Sequence, residues 1–371
     1  MVLARQDTSS ARTRWLAAIA AALLVVALVQ LYRSVTSDGR ADAPADGRLA
    51  LAVLGDSDSH SYQDTVAIAD DGESRGGAQR AQTLQWTEVL ARLRGSEIDP
   101  GRWDRWGSNG AIARLRTLFG AVQRRPLKLD YRYNFAVSGA VCDDLLRSGE
   151  RQTGNLLQLM ALDPLRWRHG VVVIRIGIND VGDEESLDAV ARGEHREVDA
   201  DVDACIAEIQ ASVQQILAAH AQTRIVLVGI FDNVHWPPLA QRWPQALPQQ
   251  RIATAMQRYD DSLKALAAAD ARLVFFDDTR WFAAHWGGRK ADGSADYHAA
   301  VLADGRRIQA RVGDDVASAV VADGHSGLAW NALWAQALVD TLREQAQLSL
   351  TPIGDAELAA FVTKISTSPQ K

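Results

Sequence analysis

The residues best suited to chemistry begin in the stretch LAVLGDSDSHSYQD, residues 51–64, where an apolar run stops at Gly55 and Ser57 follows at once. A serine hydroxyl is a weak nucleophile until a neighbouring base removes its proton. His325, in ADGHSGLAWNALWA late in the chain, suits that task. An imidazole titrates near neutrality, so it can take a proton and later return it to a leaving group. Asp323 can hold the far ring nitrogen and stabilise the imidazolium. The chemistry open to such a set is acyl transfer, which also needs donors preorganised for the oxyanion of a tetrahedral intermediate.

Each residue also has a plainer reading. Asp56 and Ser57 are preferred helix N-caps, and Asn179-Asp180 is a common turn pair. His325 could be an ordinary histidine at a helix start. Asp56 reads as a brace for the turn. His60 lies close to Ser57 in sequence, yet a residue three positions along a helix projects beside the serine rather than over its hydroxyl. His235 sits in a Pro- and Trp-containing loop at 231–250, and His285 and His298 show no partner spacing for a metal site. No metal site and no cofactor are expected.

Short apolar runs must position these groups: 51–54, 131–137, 171–177, 224–230 and 272–277. Amphipathic stretches at 83–94, 109–123, 202–220 and 251–270 separate them, and a last helix is expected near 327–346. Strands alternating with helices predict an α/β fold, a three-layer, doubly wound and mainly parallel five-stranded sheet. Strands covered on both faces need not alternate in polarity. Around 297–312, extended segments flank Asp304-Gly305 and predict a hairpin insertion. In open α/β sheets ligands bind beyond the carboxyl ends of the strands. There lie Gly55-Asp56-Ser57, Ser138-Gly139-Ala140 and Ile178-Asn179-Asp180, with Asp323 and His325 at the mouth of the last helix.

These four pieces, in this order, resemble the SGNH hydrolases, or GDSL esterase/lipase family, over roughly residues 49–346. The resemblance implies a flavodoxin-like fold with Ser57 as nucleophile, His325 as base and Asp323 as its partner. It also implies an oxyanion hole made by the N–H groups of Ser57 and Gly139 and the side-chain amide of Asn179. An amide at 179 donates without charge, and a side chain at 139 is expected to crowd the approaching oxygen. The chain departs from the family pattern in three places. Ala322 stands where the family commonly has aspartate three residues before the histidine, Ser326 follows His325 instead of proline, and Asp58 follows the GDS triplet instead of leucine. Asp314, Asp315 or a backbone carbonyl are the alternative partners for His325.

Composition frames the rest. The chain has 371 residues, is 47% hydrophobic and 23% charged, and carries a net charge of −6, which argues against nucleic acid as a partner. Residues 15–32, WLAAIAAALLVVALVQLY, are apolar but for Gln30 and follow Arg5, Arg12 and Arg14. At about 1.5 Å per residue they nearly cross a core of about 30 Å. They read as a transmembrane anchor or a signal sequence, with 1–14 cytoplasmic, 33–47 a linker, 48–349 the hydrolase-like domain and 350–371 a C-terminal extension. Both readings predict export to the bacterial cell envelope, inner-membrane anchored or secreted. Cys142 and Cys205 are either a disulfide or two buried thiols. Of the eleven tryptophans, those at 103, 106, 236, 243, 281 and 286 either pack onto the body or offer stacking faces for sugar rings, and Trp330 and Trp334 read as core. The Pro- and Trp-containing loop 231–250 is placed to overhang a pocket or merely to connect. The expected protein is an exported serine esterase acting through an acyl-enzyme on an acetylated glycan, a lipid or a small acyl ester. The rival expectations are an inactive glycan-binding or scaffold domain of the same fold, and an envelope O-acyltransferase.

Overall fold

The computed structural model describes residues 47–69, 75–109, 112, 124–147, 149–231 and 233–368. The expected anchor at 15–32, the linker up to residue 46 and nearly all of the helix expected at 109–123 lie outside them. Among the described residues, no helix is long and apolar enough to cross a membrane.

The centre is a five-stranded parallel sheet in the order β2-β1-β5-β6-β7, built from β1 (Leu49–Gly55), β2 (Ile98–Asp99), β5 (Val171–Arg175), β6 (Arg224–Val228) and β7 (Leu273–Phe276). Alternate residues of each strand point to opposite faces, and each face is covered. Leu51, Val53, Val171, Val173, Val226, Val228, Val274 and Phe276 pack under helices α1 (Trp86–Arg94), α8 (Asp278–Trp286), α9 (Leu328–Glu344) and α10 (Asp355–Ser366). Ala50, Ala52, Leu54, Val172, Ile174, Ile225 and Leu227 pack under α2 (Gln152–Leu162), α6 (Arg196–Ala219) and α7 (Ala246–Ala269) on the other side. The fold is therefore three-layered α/β, as expected. The stretch after residue 350 is more than a tail, because Leu358, Phe361, Val362 and Ile365 of α10 join the first core.

The expected strand at 131–137 is a correction. Tyr131 ends β4 (Lys128–Tyr131), which pairs antiparallel with β3 (Trp103–Trp106) outside the main sheet. The chain then turns and meets β1 through one isolated bridge, Val53 to Asn134. Val53 N–H donates to Tyr133 O at 2.9 Å, Phe135 N–H to Val53 O at 2.8 Å and Val137 N–H to Gly55 O at 3.0 Å. The segment thus occupies the edge of β1 beyond the two-residue β2 without becoming a regular strand. Buried cations hold this bend. Arg124 donates to the carbonyls of Trp106, Lys128, Tyr131 and Asn134. Lys128, fully buried, pairs with the equally buried Asp130 at 2.9 Å.

The expected hairpin is present as β10 (Ala300–Val301) and β11 (Arg307–Val312), and β12 (Ser318–Val320) adds to it in parallel. Its Ile308 and Ala319 are buried in the first core, which fixes the loop between β12 and α9 that carries His325.

The Lys128–Asp130 pair gives a direct test of what holds the bend. Lys128→Met strips Asp130 of its nearest cation and leaves a buried carboxylate to Ser61, Asn134 and Tyr131 donors alone. Loss of one partner of a buried pair typically costs about 3–5 kcal/mol. Urea unfolding of this variant is expected to show a loss of that order, and a loss below about 1 kcal/mol would contradict the role given to the pair.

Candidate active site

Strand β1 ends on glycine because β5 leaves no room for anything larger: a Cβ at Gly55 would collide with the carbonyl oxygen of Arg175. The Gly55 backbone is held on both sides by Gln152, whose Oε1 accepts its N–H at 2.8 Å and whose Nε2 donates to its carbonyl at 2.9 Å. The chain then turns tightly, with Asp56 O accepting from Ser59 N–H at 3.2 Å and His60 N–H at 3.1 Å. Asp56 braces the turn, its Oδ1 accepting the Asp58 N–H at 2.9 Å. The Ser57 carbonyl accepts from Gln85 Nε2 at 3.1 Å and from the Arg75 guanidinium. Behind it, buried Arg175 donates to the Asp58 carbonyl at 3.0 Å and to Asp278 at 2.8 Å. Ser57 thus sits on a backbone fixed from several directions, and its N–H finds no partner among the described residues.

Gly139 and Asn179 meet at the same edge. Asn179, in the short helix α4 (Ile178–Val181) after β5, donates from Nδ2 to Ala140 O at 2.9 Å, which leaves the second amide hydrogen for another acceptor. Gly139 has φ +81°, and its N–H is likewise unpartnered among the described residues. A Cβ at 139 would meet nothing of the described protein within 4 Å, so within the protein it is the left-handed backbone that favours glycine, while the crowding expected there concerns the oxygen of a substrate. Cys142, three residues on, forms a disulfide with Cys205 of α6, and its N–H donates to Asp180. Among the described residues Cys142, Cys205 and Asp180 form the one group with metal-ligand proximity, but sulfurs in a disulfide offer no thiolate.

Asp323 and His325 lie on the loop between β12 and α9. The two-residue spacing does not part them. Asp323 Oδ1 accepts the His325 N–H at 2.9 Å, closing a local turn, and Oδ2 then lies 3.3 Å from His325 Nδ1. That is ion-pair distance rather than short hydrogen-bond geometry. Asp315 instead faces Arg311 and the Ala317 N–H. Burial raises the Asp323 carboxyl, but the His325 imidazole and the N–H groups of Gly76 and His325 outweigh it and hold the group at about 2, so it is ionised at working pH. Two bonds tie this loop to the serine turn. Gly76 N–H donates to Asp323 Oδ2 at 2.5 Å, and the buried Tyr62 hydroxyl donates to Ser326 O at 2.7 Å.

Ser57, Asn179, Asp323 and His325 line one cavity of about 330 Å³. Among the described residues no hydrogen bond joins the Ser57 hydroxyl to His325, and such contacts often tighten only when substrate is bound. The 231–250 loop does overhang this space: Phe231, Asn233 and Trp236, with Trp330 from α9, form its wall. Of the other tryptophans singled out, those at 106, 243, 281 and 286 are buried in packing. His60 is no base for Ser57, since its ring nitrogens engage Ser138 and Asp64. Sequence reading missed Tyr62, Arg75, Gln152 and Arg175. Their partners are mostly carbonyls far along the chain, which leave no spacing pattern to find.

Residues 95–301, more than half of the chain, match the model of the GDSL-like lipase/acylhydrolase family. The match includes Gly139 and Asn179 and ends short of Ser57 on one side and His325 on the other. No curated protein matches the sequence. Among solved structures, the chain is similar to a carbohydrate esterase family 2 enzyme with a carbohydrate-binding domain from Corynascus thermopiles (Myceliophthora fergusii). That likeness has 18% identity and a TM-score of 0.35, covering 82% of this chain and 69% of that one.

The site carries a stability signature. Burial, then the neighbouring Asp58 charge, pushes the Asp56 carboxyl up to about 8, so folded Asp56 is protonated at neutral pH. Unfolded, it ionises near about 3.9. The folded state binds the extra proton, so this group's contribution to stability falls as pH rises from about 4 to about 8. Asp56→Asn is expected to remove that slope: in urea unfolding, the variant gains on the parent between pH 5 and pH 8. Parallel pH curves for the two proteins would contradict the assignment.

Proposed function

The chain belongs to the GDSL-like lipase/acylhydrolase family, and from that premise we propose that it is a serine esterase working through an acyl-enzyme on Ser57. The observation that carries this reading is the shared cavity, lined by Ser57 and by His325 with an ionised carboxylate beside one nitrogen of its ring. In the proposed cycle His325 takes the Ser57 proton as the serine oxygen bonds to the ester carbonyl carbon. The oxyanion rests on the free N–H groups of Ser57 and Gly139 and the second amide hydrogen of Asn179. As the intermediate collapses, the bond to the alcohol oxygen breaks and His325 returns its proton to that oxygen. Water, deprotonated by His325, then attacks the acyl-serine, and its collapse releases the acid and restores the serine. Asp323 keeps the imidazole in the tautomer that presents its lone pair to Ser57 and stabilises the cation formed in each half.

The cavity's volume falls at the small end of ligand pockets. Its wall of Phe231, Trp236 and Trp330 favours a short acyl group on a glycan, lipid or small alcohol. The Cys142–Cys205 disulfide fits an oxidising compartment, which supports export behind the apolar 15–32 segment as an envelope-anchored or secreted enzyme.

Ser57→Ala is expected to lower turnover of a short-chain aryl ester by more than about 10⁴-fold with circular dichroism unchanged. Asn179→Ala is expected to lower kcat by about 10²–10³-fold. Turnover by Ser57→Ala equal to that of the parent would refute the proposal.

A further inference from the structure

We propose that His60 is a positioning residue that aims the Gly139 N–H at the reacting oxygen by gripping the preceding residue, Ser138; this rests on the esterase reading above. Ser138 and Gly139 are exposed, and among the described residues no side chain packs over the glycine. The loop's aim therefore depends on its few polar ties. One is the Asn179–Ala140 bond, and another is the Ala140 N–H to the Val137 carbonyl at 3.0 Å. The third is His60, whose Nδ1 accepts the Ser138 N–H at 3.1 Å and lies 3.0 Å from its Oγ. Arg75 adds a long contact of 3.4 Å to the same Oγ.

The other side of the ring decides which nitrogen carries the proton. Asp64 Oδ2 lies 2.9 Å from Nε2, while Asp64 Oδ1 accepts the N–H groups of Val66, Ala67 and Leu129. Burial raises the Asp64 carboxyl, yet the bonds from His60, Leu129 and Ala67 outweigh it and hold it below the usual carboxylate range. An ionised carboxylate only accepts, so the proton sits on Nε2 and the Nδ1 lone pair faces the loop. His60 is fully buried. Burial first, then the charges of Lys128 and Arg75, outweigh the pull of Asp64 and Asp130 and lower it to about 3. The ring is therefore a neutral acceptor across the working range. Ser138, His60 and Asp64 copy the order of a serine triad, but a base this weak does not take a hydroxyl proton at neutral pH. The group holds and does not react.

The test uses the full chain and p-nitrophenyl acetate. His60→Gln keeps a donor for Asp64 and loses the acceptor for Ser138, whereas His60→Asn sets an amide oxygen near the former Nδ1. His60→Gln is expected to lower kcat by about 10–100-fold with KM within twofold, and His60→Asn to recover several-fold of that loss. Equal kcat per folded molecule in parent and both variants would overturn the proposal, as would equal losses that track the melting temperature. Should His60→Gln fail to fold, Ser138→Ala removes the Oγ half of the tie and keeps the Ser138 N–H on Nδ1. A twofold to tenfold fall in kcat at constant KM is expected there, and an unchanged kcat overturns the proposal. Absence of Ser57-dependent turnover in the parent chain would remove the esterase reading and this assignment with it.

Discussion

The close approach of β1 and β5 at their carboxyl ends underlies everything else at the site. Gly55 lies against the Arg175 carbonyl with no space for a side chain, so the two strands deliver Ser57 and Asn179 to neighbouring positions. This is also where the sheet changes winding direction, with β2 on one side of β1 and β5 on the other. A parallel sheet leaves a crevice at such a point, and loops from both directions open into it. Widen that approach by one methyl group and the serine turn, the Gln152 clasp and the Asn179 helix all shift together.

Buried charge carries that constraint outward from the sheet. Arg75, Arg124, Lys128 and Arg175 lie in the interior, each facing backbone carbonyls, and Lys128 and Arg175 also pair with a buried carboxylate. Apolar packing tolerates small slips, whereas a buried guanidinium with its carbonyls displaced loses several hydrogen bonds at once. The loops of the candidate site are short of regular structure, and this polar scaffold gives them a defined course. Tyr62 and Gly76 extend it to the His325 loop, which arrives from the opposite end of the chain.

Much of this was legible in the residues. Strands β1, β5, β6 and β7 announce themselves as apolar runs because both of their faces are covered, and the residues just after them include Ser57 and Asn179. The 131–137 run deceived because Tyr133, Phe135 and Ala136 are buried like strand residues, although the chain bends away after one bridge. Strand β2 is two residues long and has no periodicity to detect. The spacing of Asp323 looked like a defect by the family pattern. It is a different local turn, in which the carboxylate first bonds the His325 N–H and so arrives beside the ring. Local chemistry was readable in this chain, whereas long-range bonds to carbonyls such as those of Arg75 were not.

The central claim is that His325, held by Asp323, makes the Ser57 hydroxyl reactive. A fluorophosphonate probe tests it without any choice of substrate, since the probe bonds only to an activated serine. Peptide mapping by mass spectrometry after labelling should place the adduct on Ser57 in the parent chain and find it lost in His325→Ala. An adduct on another residue, or undiminished labelling of Ser57 without His325, would contradict the account.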